Sequence, residues 1–199
     1  MKRANAKFCA IGFKSKTGRA VAVVLLGPAD SPEIVRRTEL VLSDPQVLAT
    51  AQPYHEVMEL PWNQSQIKVK PLVRKIERVA TRALRELIAE LQSDGLSVIS
   101  VGIAGAPDRD LGRIGNPHIR AHAAEGVLFR QVLESAAKAN GMPRRVFTER
   151  GLEAQASLIL KCTMAKLNAC LAGLGRAAGP PWRAEQRMAA TVAWLALRG

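Results

Sequence analysis

Phe8-Cys9-Ala10-Ile11-Gly12-Phe13 is an apolar run that passes into the polar turn Lys14-Ser15-Lys16-Thr17-Gly18. It then continues as the second apolar run Ala20–Leu26. Two β-rich runs joined by a short turn containing glycine predict an antiparallel hairpin. A third strand is expected over Glu33–Leu42, after Gly27-Pro28. Three leading strands exclude a Rossmann order, which has no initial hairpin, and a ferredoxin-like order, which has fewer strands at its start.

Further along the chain the period changes. Leu72, Ile76, Val79, Ala83, Leu87 and Leu91 recur at steps of three and four residues. They predict a helix over about Pro71–Gln92, closed by Gly95. Leu96–Ile103 is a β-rich apolar run, expected as a strand buried between helices. A loop over Ala104–Gly115 leads to a helix at about Pro117–Asn140, which Gly141-Met142-Pro143 breaks. Arg144–Thr148 reads as a fifth strand. The remainder reads as two helices, Leu152–Leu171 and Trp182–Leu197, divided at Gly173–Pro181. Ser43–Lys70, with Pro45, Pro53 and Pro61, reads as a loop region in which Tyr54, Met58 and Trp62 cover an edge of the core. No internal repeat is present.

The order β-β-β-α-β-α-β-α-α, with right-handed crossovers, places the fourth and fifth strands beside the first. The expected fold is a mixed five-stranded α/β sheet of order 3-2-1-4-5, with strand 2 antiparallel and helices on both faces. The 199 residues suffice for one domain with its own core.

This order resembles the RuvC-type branch of the RNase H-like superfamily. In that branch the first strand ends Gly-apolar-Asp and the Asp holds a metal, whereas this strand ends Gly12-Phe13-Lys14. The last helix of RuvC-type resolvases has the form Asp-x-x-Asp-Ala-x-Ala-x-Ala. Glu185-Gln186-Arg187-Met188-Ala189-Ala190-Thr191-Val192-Ala193 fits that frame, with Glu185 at the first acid and Met188 at the second. Val101-Gly102-Ile103-Ala104 offers no glutamate in the fourth strand. Two-metal hydrolysis needs several carboxylates around its ions, so the resemblance implies the fold without the nuclease chemistry. No metal or other cofactor is expected. An actin-like ATPase, which doubles this topology, needs a longer chain.

The net charge is +12, from 29 Lys and Arg against 17 Asp and Glu. Residues 1–29 hold six bases and no acid, and residues 142–199 hold nine bases and three acids. A face of that sign fits a polyanion. Lys14, Lys16, Lys75, Arg78, Arg82 and Arg85 are the candidate nucleic-acid contacts. The competing reading of the helical stripe is a solvated face paired with Glu77, Glu86 and Glu90. Aromatic residues make up 4% of the chain, too few for a base-stacking surface.

A second candidate is the junction at residues 113–122. Asn116 is placed to cap a helix and Pro117 to open it. Helix N-termini attract anions, so Arg113, Asn116, His118, Arg120 and His122 are candidate anion ligands. His118 and His122 also have the i,i+4 spacing of metal ligands. However, His-Ile-Arg-Ala-His lacks the Glu of HExxH, and no third ligand is evident in the sequence. Plain surface histidines are the simpler reading. Glu149, Glu185 and His118 are the weak candidates for acid–base work, Glu149 alternatively being an ordinary helix-capping acid.

Three functions stay open: binding of nucleic acid or another polyanion, action on a small phosphorylated ligand at the junction, and a protein–protein module or homodimer built on the C-terminal helices. Cys9, Cys162 and Cys170 have no CxxC spacing and are odd in number, as expected of a reduced, cytoplasmic protein. No apolar run is long enough to span a membrane. The basic start Met1–Asn5 is a poor secretion signal, since Lys14 and Lys16 interrupt the apolar stretch after it.

Overall fold

A computed structural model describes residues 7–199; the basic start at Met1–Asn5 lies outside them. Strands β1 (Lys7–Lys16), β2 (Arg19–Leu26), β3 (Glu33–Val41), β4 (Leu96–Gly105) and β5 (Arg144–Thr148) form one sheet of order β3-β2-β1-β4-β5. This is the expected RNase H-like order. Strand β1 pairs antiparallel with β2, from Cys9 opposite Leu26 to Lys16 opposite Arg19. On its other side it pairs parallel with β4, from Lys7 beside Leu96 to Lys14 beside Ala104. Strand β5 adds parallel to β4.

Alternation along the strands divides the core in two. Cys9, Ile11 and Phe13 of β1, with Ala20, Ala22 and Val24 of β2, pack under helices α2 (Lys70–Ser93) and α3 (Pro117–Ala139). Val21, Val23 and Leu25 pack under α4 (Leu152–Leu160), α5 (Met164–Ala178) and α6 (Ala184–Leu197). Both faces of β1 and β2 are covered, so their sequences read as nearly unbroken apolar runs. The buried positions of α2 are Ile76, Ala80, Leu84, Leu87, Ile88 and Leu91. Leu72, Val79 and Ala83 of the expected stripe flank that face and are only half-buried.

The C-terminal part departs from the expected division. The helix foreseen over Leu152–Leu171 breaks at Lys161, whose left-handed backbone (φ 52°) ends α4. Thr163 then caps α5 by accepting from the Lys166 amide at 3.2 Å. Left-handed backbone at a residue other than glycine leaves no sequence signal. Conversely, Gly173 and Gly175 lie inside α5. A Cβ at Gly175 would run into the Trp182 indole, so that glycine serves close approach and not chain breaking. The Ser43–Lys70 region forms 3₁₀ turns at Leu48–Thr50 and His55–Val57, then the short helix α1 (Trp62–Lys68).

Helix α6 lies directly on the two central strands. Gly12 and Gly102 are neighbours across the β1–β4 pair. A Cβ on Gly12 would overlap the Ala189 carbonyl oxygen, and one on Gly102 would overlap that of Val192. The obstacle in each case is backbone, which no rotamer change relieves. Gly12→Ala or Gly102→Ala is therefore expected to destabilise the fold by ~3 kcal/mol, the upper part of the range for overpacked cores. Urea unfolding measures this; a change below about 1 kcal/mol would show that α6 moves away freely.

Candidate functional site

Three regions gather the chemistry. The first is the end of β1. Lys14 and Lys16 share the strand face of Gly12, the side on which α6 packs. Lys14 is 7% exposed. Its Nζ donates to the Ser15 carbonyl at 2.6 Å and to Glu149 Oε1 at 2.7 Å. Lys16 Nζ lies 2.6 Å from Glu185 Oε1, and Arg19 reaches Glu185 Oε2 at 3.5 Å and Glu39 at 2.6 Å. The two acids foreseen as weak catalytic candidates, Glu149 and Glu185, are thus both bound to cations. The Lys16 hydrogen bond, more than any other contact, holds the Glu185 carboxyl below its ordinary pKa; burial opposes it, and the charges of Lys16, Arg19 and Lys14 add to it. Met188 stands one turn further along α6 and offers no metal ligand oxygen.

The second region is the exposed side of α2. Arg74, Arg78, Arg82 and Arg85, with Pro71, Glu77 and Thr81, line an open groove of about 760 Å³. Steps of four residues on a helix advance by ~6 Å, so Arg74, Arg78 and Arg82 follow one another up a single face. Among the described residues Arg74, Arg78 and Arg85 make no ion pair, while Arg82 only approaches Glu86 at 4.0 Å. Lys75 turns away from this row to Asp44 at 3.4 Å.

The third region is the junction before α3. Asn116 caps the helix as expected, its Oδ1 accepting from the Ile119 amide at 3.0 Å. Arg120 donates to the Ile114 carbonyl at 3.2 Å and lies over the Trp62 ring, 5.7 Å from its centroid. Arg113 stays exposed. His118 and His122 turn to each other, with 3.1 Å between their Nε2 atoms, and both meet the ring of His55. Of the foreseen anion donors, Arg120 is thus engaged with Ile114 and Trp62, His118 and His122 with each other, and Arg113 is exposed. The third imidazole that sequence reading missed is His55, in the 3₁₀ turn before α1. One signal was available: the chain has three histidines in all, and all three meet here. Behind them Glu125, fully buried, receives His55 Nδ1 at 2.8 Å. Burial and then the Glu125 charge push the neighbouring Tyr54 phenol up. Among the described residues these histidines are the one group of three or more potential metal ligands in mutual reach.

Comparison with solved structures shows a likeness of fold. Thermus thermophilus RuvC in complex with Holliday junction substrate matches at a TM-score of 0.51 and 11% identity, over 94% of this chain and 91% of that one. The fold is of the RuvC type. A second structure of T. thermophilus RuvC matches at 0.49 and 10% identity, over 94% and 92% of the two chains. No protein-family model and no curated protein matches the sequence. In this RuvC-type fold the end of β1 carries Lys14, and its charge is answered by Glu149.

Glu185 links this site to pH. Its folded pKa lies below the ordinary value of 4.5. Its contribution to stability is therefore complete above that value and is lost as pH falls through the lowered folded pKa. Urea unfolding of the wild type and Glu185→Gln should differ at pH 7 and converge in strong acid. Curves separated equally at both extremes would show that its charge has no part in the difference.

Proposed function

We propose that this chain is a RuvC-type protein that binds nucleic acid through cationic surface and does not cleave it by a two-metal mechanism. The observation that carries the reading is the buried Lys14 at the end of β1, held by Glu149 where resolvases of this type place a metal-binding acid. A second carboxylate, Glu185, is bound to Lys16 and Arg19. Several carboxylates are needed to hold two divalent ions against a phosphodiester. A lysine ammonium among them supplies one fixed positive charge and no ligand atom.

Binding needs less than cleavage does. T. thermophilus RuvC, whose fold this chain shares, is seen in complex with a Holliday junction substrate. The unpaired arginines of α2 offer planar, multi-donor groups suited to phosphate oxygens. Contacts of that kind position a duplex without reading its sequence. The net charge of +12 adds long-range attraction. The chain is accordingly read as one RNase H-like domain whose partner is DNA or RNA, with Lys14 and Lys16 more deeply committed to their ion pairs than the α2 arginines.

Fluorescence anisotropy with branched and linear DNA over a salt series tests both halves. Each phosphate contact contributes about −0.9 to the slope of log K against log salt on duplex DNA. Arg78→Ala with Arg85→Ala should therefore flatten that slope by about 1.8 and leave the fold intact. No binding at low salt, or an unchanged slope, would refute the α2 interface. Incubation with Mg²⁺ or Mn²⁺ should leave branched DNA whole. Metal-dependent cleavage that disappears in Glu185→Ala would overturn the non-nuclease reading.

A further inference from the structure

We propose that His55, His118 and His122 form a mononuclear binding site for a divalent first-row transition ion, zinc foremost, with Glu125 orienting His55 and solvent at the fourth position. Their ligand nitrogens all lie within 4.8 Å of one another, and the Nε2 atoms of His118 and His122 are 3.1 Å apart. Two imidazoles on a tetrahedral zinc, at ~2.0–2.1 Å each, stand about 3.3 Å apart. The α3 pair is close to that separation, and a ligand nitrogen of His55 lies within 4.8 Å of both.

The decisive feature lies behind the histidines. Glu125 Oε1 accepts from His55 Nδ1 at 2.8 Å and from the His55 amide at 3.3 Å. A carboxylate there fixes the proton on Nδ1 and leaves the lone pair on Nε2, in a ring whose centroid is 4.5 Å from that of His122 and 5.1 Å from that of His118. That Nε2 is buried and has no hydrogen-bond partner, and neither has Glu125 Oε2. A buried lone pair and a buried carboxylate oxygen without partners are costly. A cation at the meeting point of the rings would take the His55 Nε2 lone pair, and its charge would be balanced by the Glu125 carboxylate behind His55. Carboxylate–histidine–metal relays have this arrangement, in which the outer acid sets the tautomer and raises the basicity of the ligand.

The ligands are all imidazole, which suits zinc, copper, nickel or iron and disfavours magnesium and calcium. His118 and His122 are exposed, so one side of the site is open. Three protein ligands with one open position differ from closed structural zinc sites, which have four. The open position takes water or an anionic oxygen. The site is also separate from the end of β1. On α3 the side chain of Arg130 packs against Gly105 at the end of β4, and His122 lies eight residues earlier, ~12 Å along the helix. The ion would tie the turn at His55 to the projecting end of α3, joining two segments that are distant in the chain.

Untagged protein, stripped with chelator, is titrated with Zn²⁺ by calorimetry and with Co²⁺ by visible absorption, without nucleic acid present. One equivalent should bind, Co²⁺ should give the intense bands of a tetrahedral ion, and the melting temperature should rise with saturation. His122→Ala and His118→Ala change exposed side chains and should each abolish saturable binding with the fold retained. Glu125→Gln should weaken binding about 10- to 100-fold. Absence of saturable binding, an octahedral Co²⁺ spectrum, or binding indifferent to His122→Ala would overturn the proposal and leave the three rings as a hydrogen-bonded cluster paired to Glu125. Because the readout is metal occupancy alone, its failure leaves the nucleic-acid reading standing.

Discussion

Helix α6 rests on the sheet backbone to backbone, and the arrangement at the end of β1 follows from that contact. Gly12 and Gly102 sit side by side on adjacent parallel strands, and the absence of Cβ atoms there admits the helix to the sheet itself. Ala189, Ala190 and Ala193 continue the small surface on the helix side, all fully buried. From Ala189 one turn back along α6 is Glu185. Two residues on from Gly12, on the same face of β1, is Lys14. The seating that closes the core thus also brings the last helix to the end of the first strand. That corner assembles ion pairs, Lys14 with Glu149 and Lys16 with Glu185.

The electrostatics of that corner are self-consistent. A buried lysine without a partner would be expensive, and Lys14 has two acceptors, the Ser15 carbonyl and Glu149. Arg19 and Lys16 share Glu185. The same economy operates elsewhere in the molecule. Arg36 on β3 bridges Glu90 of α2 and Asp94 just past its end, Arg37 donates to the carbonyls of Gly179, Pro180 and Pro181, and Arg130 holds Asp108 and Glu134. Much of the positive charge is therefore structural. Among the described residues Arg74, Arg78 and Arg85 of α2 have no such ion pair, and Arg82 only approaches Glu86 at 4.0 Å, which makes the row a better candidate for an external partner than charge counting alone would suggest.

No single helix among the described residues is long and apolar enough to cross a membrane. Leu152, Ala156 and Leu160 of α4 and Leu167 and Leu171 of α5 are buried in the core on one face of the sheet. The thiols follow the same division. Burial pushes Cys9 up to about 11, and Cys162 and Cys170 are free and half-buried.

Local sequence determined the sheet order, since alternation and helical period report which face of each element is buried, and right-handed crossovers then leave one arrangement. It also determined which side chains stand at the end of β1 and on α6, because Lys14 and Met188 are a lysine and a methionine whatever the fold does around them. Asn116 was legible as a cap for the same reason: its partner is three residues away. The helix break at Lys161 was not, because a left-handed residue without glycine is stabilised by what surrounds it. Nor was the gathering of the histidines, apart from the bare hint that the chain has only three. His55 and Glu125 are 70 residues apart, and nothing periodic connects a 3₁₀ turn to a buried position on a later helix. Their contact depends on how the segment between β3 and α1 packs over the projecting end of α3, which only the tertiary structure decides.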